Sequence, residues 1–291
     1  MMLQNILEKV QARSGPDFLQ KDPVRFPRQF SSFADQEAVA FVSAALAYGQ
    51  VGIILRHVED LIGRMGKSPA DFIANFTPRR DAAYLRGFKH RFNDEKDLAC
   101  LFWLMRGMIE TAGSLENFFG QGDDGGATIT SALASFCRRA LDQDVTPFYA
   151  GGRLPARAGV RYFFPSPEGG SACKRLCMFL RWVVRPDDGI DLGLWTTIAP
   201  ARLVLPLDTH TGRISRLLGL SARRTADWKM ALEVTERLRA FDASDPVRFD
   251  FALAHLGISE GCRGRQGEVC RSCAVASCCL CGGGPPEKNG G

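Results

Sequence analysis

The stretch Pro206-Leu207-Asp208-Thr209-His210-Thr211-Gly212-Arg213-Ile214 sets a lone carboxylate between two apolar runs, Leu203-Val204-Leu205 behind it and Ile214, Leu217 and Leu218 ahead. The second run has helical spacing, so Asp208 falls where an extended segment enters a helix. Aspartate is among the best N-caps, because its side chain accepts the free amide N–H groups of a first turn. Capping alone would account for the residue. Any further duty has to be argued from the segments around it.

The chain has 291 residues, 45% of them hydrophobic and 24% charged, a composition that suits one large or two moderate globular domains. Its longest apolar run, residues 38–48, is far short of the roughly 20 residues that a membrane helix requires. The amino terminus has no basic-then-apolar signal pattern, and the expectation is a cytoplasmic protein with no membrane partner. Residues 1–150 carry 17 Lys and Arg against 18 Asp and Glu, whereas residues 151–291 carry 20 against 14. The basic excess thus sits in the half that contains Asp208, where it suits a polyanionic partner or a solvated basic face. Of ten cysteines, six fall between Cys262 and Cys281. In a reducing compartment such crowding reads as metal binding before disulfides.

The chain reads as all-α. From Asp35, taken as a cap, Val39, Phe41, Val42, Ala45 and Leu46 form an apolar face until Gly49-Gln50 interrupts. Ile53, Ile54, Val58, Leu61, Ile62 and Met65 mark the next helix. Further helices are expected over residues 96–112 and 127–141, separated by a Gly- and Asp-rich loop at 121–126. Residues 145–170, rich in Pro, Gly and Arg, form a long connector, and residues 281–291 read as a disordered tail.

A second segment, Pro165-Ser166-Pro167-Glu168-Gly169-Gly170-Ser171-Ala172-Cys173-Lys174, reads as a glycine-rich helix start with Ser171 as cap. Free amides at Gly169, Gly170 and Ser171 would suit a DNA phosphate, and Lys174 falls in the first turn with Arg175 beside it. A third, Asp245-Pro246 to Ile258, reads as a capped helix with proline at its first position. The fourth is Cys262-x7-Cys270-x2-Cys273-x5-Cys279, with Cys278 and Cys281 competing as the last ligand. Four thiolates at this spacing suit a four-iron four-sulfur cluster or tetrahedral zinc. Arg263, Arg265 and Arg271 decorate the loop.

Taken in order, Asp208-Thr209-His210 with Arg213, the lysine after a glycine-rich turn, the His255-Leu256-Gly257 helix end and the cysteine loop resemble the helix-hairpin-helix DNA glycosylase superfamily. The cysteine spacing is one residue longer in its first gap than in the endonuclease III branch. The family's Leu-Pro-Gly-x-Gly hairpin is absent before the lysine, and the interval from Lys174 to Asp208 is longer than in endonuclease III. Both departures look closer to the archaeal 8-oxoguanine DNA glycosylases. The resemblance covers roughly two thirds of the chain and is dense only near Lys174 and from Asp208 to Cys279.

What the resemblance implies is a two-lobed helical glycosylase: a barrel over residues 34–200, and a second lobe from residues 1–33 plus 205–280 carrying the metal loop. The cleft between them would hold double-stranded DNA with a modified base, bound by a monomer. Asp208 would stabilise the oxocarbenium-like sugar as the base leaves, and Lys174 would attack the sugar carbon, giving a Schiff base and possible AP lyase activity. Gln50 would reach into the DNA, Gly169, Gly170, Ser171, Arg175, His210 and Arg213 would bind it, and Tyr162, Phe163 and Phe164 are candidates to stack on the flipped base. The cluster is expected to be 4Fe-4S, with zinc as the alternative. The excised base, an oxidised purine or a hypermodified base, would place the protein in DNA repair or in defence against modified phage DNA. The other reading is a non-catalytic nucleic-acid binder that keeps the fold and a structural metal site.

Overall fold

The computed structural model of the chain describes residues 2–12, 19–258, 262 and 264–281. Arg263 and the expected tail beyond Cys281 lie outside the described residues. The backbone is mostly helical, in keeping with an all-α chain. The helices are α1 (Met2–Ala12), α2 (Phe33–Ala45), α3 (Val51–Met65), α4 (Pro69–Ala74), α5 (Pro78–Asp81) and α6 (Glu95–Ala112), then α7 (Leu115–Gly120), α8 (Thr130–Leu141), α9 (Lys174–Val184), α10 (Thr209–Leu217), α11 (Trp228–Arg239) and α12 (Asp250–Ile258). Among the described residues the only sheet is a hairpin of β1 (Lys89–His90) and β2 (Asn93–Asp94). No described helix is long and apolar enough to cross a membrane.

Local chemistry explains where the helices begin. The cap of α2 is Ser32, whose hydroxyl accepts from the Asp35 amide, so the expectation of Asp35 as cap is corrected. Phe33 and Ala34 are already helical, and Asp35 instead accepts from the Ala70 amide at 2.9 Å, tying α2 to the start of α4. Helix α6 opens on a reciprocal capping box between Asp94 and Asp97 and closes on Gly113 in the left-handed conformation. Asp245 does not cap the turn that Pro246 opens. Its carboxylate accepts from Arg185 Nε at 2.8 Å, because a buried guanidinium competes for it more strongly than an amide.

The buried apolar side chains form one continuous cluster from Leu7 to Val275. Phe41 on α2 is at its densest part, with the rings of Phe179, Phe164 and Phe136 at 5.1, 5.8 and 6.0 Å, edge-on or tilted as aromatic quadrupoles favour. The apolar positions read for α2 are all buried, and of those read for α3 Ile54, Val58, Leu61 and Met65 are buried while Ile53 and Ile62 are only partly so. One buried carboxylate stitches the layers. Glu37 accepts from the amides of Leu115 and Glu116 at the start of α7 and from the Trp195 indole.

Helix α9 packs on α2, α10 on α12, and α12 on α1, which brings the first and last of these helices together. The underside of α9 is held by charge. Arg181 pairs with Asp191 at 3.2 Å and with Asp250 at the start of α12, and Arg185 pairs with Asp191, Asp188 and Asp245. Arg181, Arg185, Asp191 and Asp250 are buried, while Asp245 is half-buried and Asp188 lies at the surface, so the inner part of the network is held by the cost of leaving a buried charge unpaired. The first residue of α9 is Lys174.

Candidate functional site

Asp208 is the N-cap of α10, as the sequence indicates. Its Oδ1 accepts from the amides of His210 and Thr211 at 2.9 and 2.8 Å. Its Oδ2 accepts from Lys174 Nζ at 2.6 Å. One carboxylate therefore performs both duties, and two residues 34 apart in the chain meet at the converging N-termini of α9 and α10. Burial raises the proton affinity of Asp208, but the charge and hydrogen bond of Lys174 and the Thr211 amide outweigh it, so the group lies below the usual aspartate range. Both side chains remain accessible, Lys174 at 36% and Asp208 at 22%.

The approach to Lys174 differs from the expected helix start. Gly169 and Gly170 belong to a short 3₁₀ turn, and their amides already donate to Ser166 and Pro167 carbonyls at 3.2 and 2.9 Å. They are not free for a phosphate. Ser171 lies two residues outside the cap position and pairs with Asp227, while its hydroxyl accepts from the Cys173 amide. The cap is Cys173, in the left-handed region at φ 50°, a conformation that costs an L-residue roughly 1–2 kcal/mol. The thiol, donating towards the Pro165 and Ser171 carbonyls, helps to hold it.

Arg175 is 8% exposed, with its guanidinium donating to the carbonyls of Ala45 and Tyr162 and lying over the Tyr162 and Tyr48 rings. Its expected phosphate contact gives way to a structural role, because both ends of the fork are already used. Phe163 and Phe164 are buried in the core and cannot stack on a base, whereas Tyr162 is exposed. Gln50 is exposed at the start of α3, just after Gly49. His210 is exposed, and Arg213 donates to the Cys262 carbonyl at 2.7 Å, joining α10 to the cysteine loop.

Cys262, Cys270, Cys273 and Cys279 line one apolar cavity together with Ile214, Leu217 and Leu218 of α10. Cys281 lines it too, and Cys278 does not; the Cys278 thiol donates to the Val275 carbonyl instead. Burial, and then the neighbouring Cys279, Cys262 and Cys270, push the Cys281 thiol up. Five of the six clustered cysteines therefore share one cavity, and Cys278 stands outside it. Among the described residues no three His, Cys, Asp or Glu side chains stand in an arrangement that would already hold a metal ion.

One surface went unread in the sequence. The hairpin tip carries Phe92, 61% exposed, stacked at 5.6 Å and 15° on Tyr48, with Tyr162 edge-on to both. A lone phenylalanine among Lys89, His90, Arg91, Asn93 and Asp94 was the available signal.

The fold and site thus define a helical protein with a solvent-accessible amine–carboxylate pair, whose helix α10 also lines a cysteine-bearing cavity. Residues 22–259 match the family described as "Protein of unknown function (DUF2400)", and the chain belongs to that family. No curated protein and no solved structure matches it.

The pair yields a pH signature. Asparagine caps as well as aspartate, so Asp208→Asn should keep α10 and lose only the charge contact with Lys174. Because the folded carboxyl lies below its unfolded value of about 3.9, its stabilisation is present above that value and is lost as pH falls through the folded one. Urea unfolding across pH is expected to show wild type more stable than Asp208→Asn at pH 6, by a margin that closes in acid.

Proposed function

We propose that the chain is a DNA glycosylase related to the helix-hairpin-helix superfamily. The observation that carries this reading is the 2.6 Å contact between Lys174 Nζ and Asp208 Oδ2, with Asp208 Oδ1 fixed by two amides. A carboxylate held in this way cannot swing off to solvent, so it can stabilise positive charge that develops on a deoxyribose. When the C1′–N bond breaks, the base leaves with the bonding electrons and the sugar becomes electron-poor at C1′. Lys174 Nζ is in contact with the carboxylate, and as the free amine, its proton lost to solvent, it is the nucleophile placed to attack. Addition of Nζ at C1′ and ring opening give a Schiff base, the species that permits strand cleavage.

The basic excess of the carboxyl-terminal half and the two converging helix N-termini favour a polyanionic substrate. Double-stranded DNA carrying a modified base, an oxidised purine or a hypermodified base such as phage DNA contains, is the proposed substrate. The cysteine cavity is proposed to hold a 4Fe-4S cluster through Cys262, Cys270, Cys273 and either Cys279 or Cys281. The cluster would supply structure rather than chemistry, by fixing the loop that Arg213 ties to α10.

Two experiments test this. Base release measured over a panel of modified DNAs, hypermodified phage DNA included, is expected for at least one substrate, with a loss of roughly 100-fold or more in Asp208→Asn. Tight, salt-sensitive binding with no base release would establish a non-catalytic binder instead. The purified chain is expected to be brown and to contain iron and sulfide, with Cys273→Ser losing the colour and Cys278→Ser keeping it. A colourless protein containing zinc would replace the cluster.

A further inference from the structure

The hairpin β1–β2 is too short to stand alone, and its position is fixed by contacts beneath it. His90 is fully buried, with Nε2 3.0 Å from the Tyr48 carbonyl and Nδ1 2.9 Å from His57 Nδ1. Tyr48 donates back to Asn93 Oδ1 and the His90 carbonyl. Gly49, at φ 107°, lets the chain pass so close that a Cβ there would meet Arg91 Cδ at 3.0 Å. These constraints hold up an aromatic ring that the fold does not need for its core. Phe92 rests on Tyr48, the Arg91 guanidinium lies over the ring at 5.2 Å from its centre, and Tyr162 stands edge-on at 5.1 Å. Arg175, the residue after Lys174, lies 4.1 Å from the Tyr162 ring and so joins this aromatic cluster to the start of α9.

The hairpin places cations beside the cluster, with Asp94 and Glu95 also exposed close by. Lys89 and Arg91 are exposed on the hairpin. The nearby carboxylates are occupied by backbone amides, Asp94 capping α6 and Glu95 accepting from Gly87. An exposed aromatic face flanked by cations fits an unpaired nucleobase, whose π-face stacks whatever its sequence and whose phosphates need the positive charge.

We propose that Phe92 and Tyr162, joined to the start of α9 through Arg175, form a stacking platform that receives an unpaired DNA base. This deepens the glycosylase reading, since DNA as the ligand rests on it, but the platform itself is a binding property. In the free chain Phe92 rests on Tyr48 with Arg91 over the ring, and the bound base would take the place of the guanidinium, freeing it to meet a phosphate. Flipping a base out of a duplex costs a few kcal/mol, and stacking on such a platform offsets part of that cost.

The test uses the full chain and two duplexes of one sequence, one fully paired and one with a single unpaired adenine. Their affinities are compared at one salt concentration. Wild type is expected to prefer the bulged duplex by on the order of tenfold, the stacking contribution of one base. Phe92→Leu, which keeps the apolar bulk without the ring, should bring the ratio near one, Phe92→Tyr should restore it, and Tyr162→Leu should lower it. A wild type without preference, or a Phe92→Leu protein of unchanged thermal stability that keeps the preference, overturns the platform. Base release assayed in parallel over the panel of modified DNAs separates the two readings. A ring-dependent preference without any base release supports the platform and removes the glycosylase. Base release that accompanies a ring-independent preference removes the platform and leaves the glycosylase standing.

Discussion

The site depends on how one carboxylate divides its oxygens. Asp208 Oδ1 is taken up by two amides at the start of α10, and Oδ2 is left for the Lys174 ammonium. A cap alone would fix the helix and leave the acid chemically idle. An ion pair alone, on two partly exposed side chains, would be worth little and would wander. Together they fix a carboxylate and an amine at contact distance in an accessible position, the arrangement that charge stabilisation at a sugar requires.

Holding the lysine in place takes more structure than holding the acid. Lys174 follows a residue in the left-handed conformation, and the turn before it is clamped by the Ser171–Asp227 bridge. Behind it, α9 is fastened by Arg181 and Arg185 to Asp191, Asp245 and Asp250. Buried charges of this kind are poor sources of net stability but tolerate little displacement, because any shift leaves a charge unpaired in a poorly solvated interior. The orientation of α9 relative to α12, and so the distance from Lys174 to Asp208, is set by that constraint. On the other side, α10 presents Ile214, Leu217 and Leu218 to the cysteine cavity, so the order of the loop and the seat of the acid are coupled through one nine-residue helix.

The elements that local rules govern were legible in the sequence: the Asp208 cap, most of the apolar stripes of α2 and α3, the helix over residues 96–112, and the grouping of the cysteines. The misreadings share a cause. Asp35, Ser171 and Asp245 all look like caps, and each is claimed by a partner or a neighbouring turn that only the folded chain brings near. Arg175 looks like a free basic residue, yet the Ala45 and Tyr162 carbonyls, 130 and 13 residues away, take its guanidinium. The Phe92 platform escaped because two residues per strand carry no alternation to detect, and because exposure is a property of packing.

The central claim is that Lys174 faces the sugar of an extruded nucleotide. Borohydride reduction during turnover on a DNA substrate, followed by peptide mapping of the covalent product, tests it most directly. The expected result is a single protein–DNA adduct at Lys174, absent in Lys174→Ala. Base release without any adduct, or an adduct on another lysine, would contradict it.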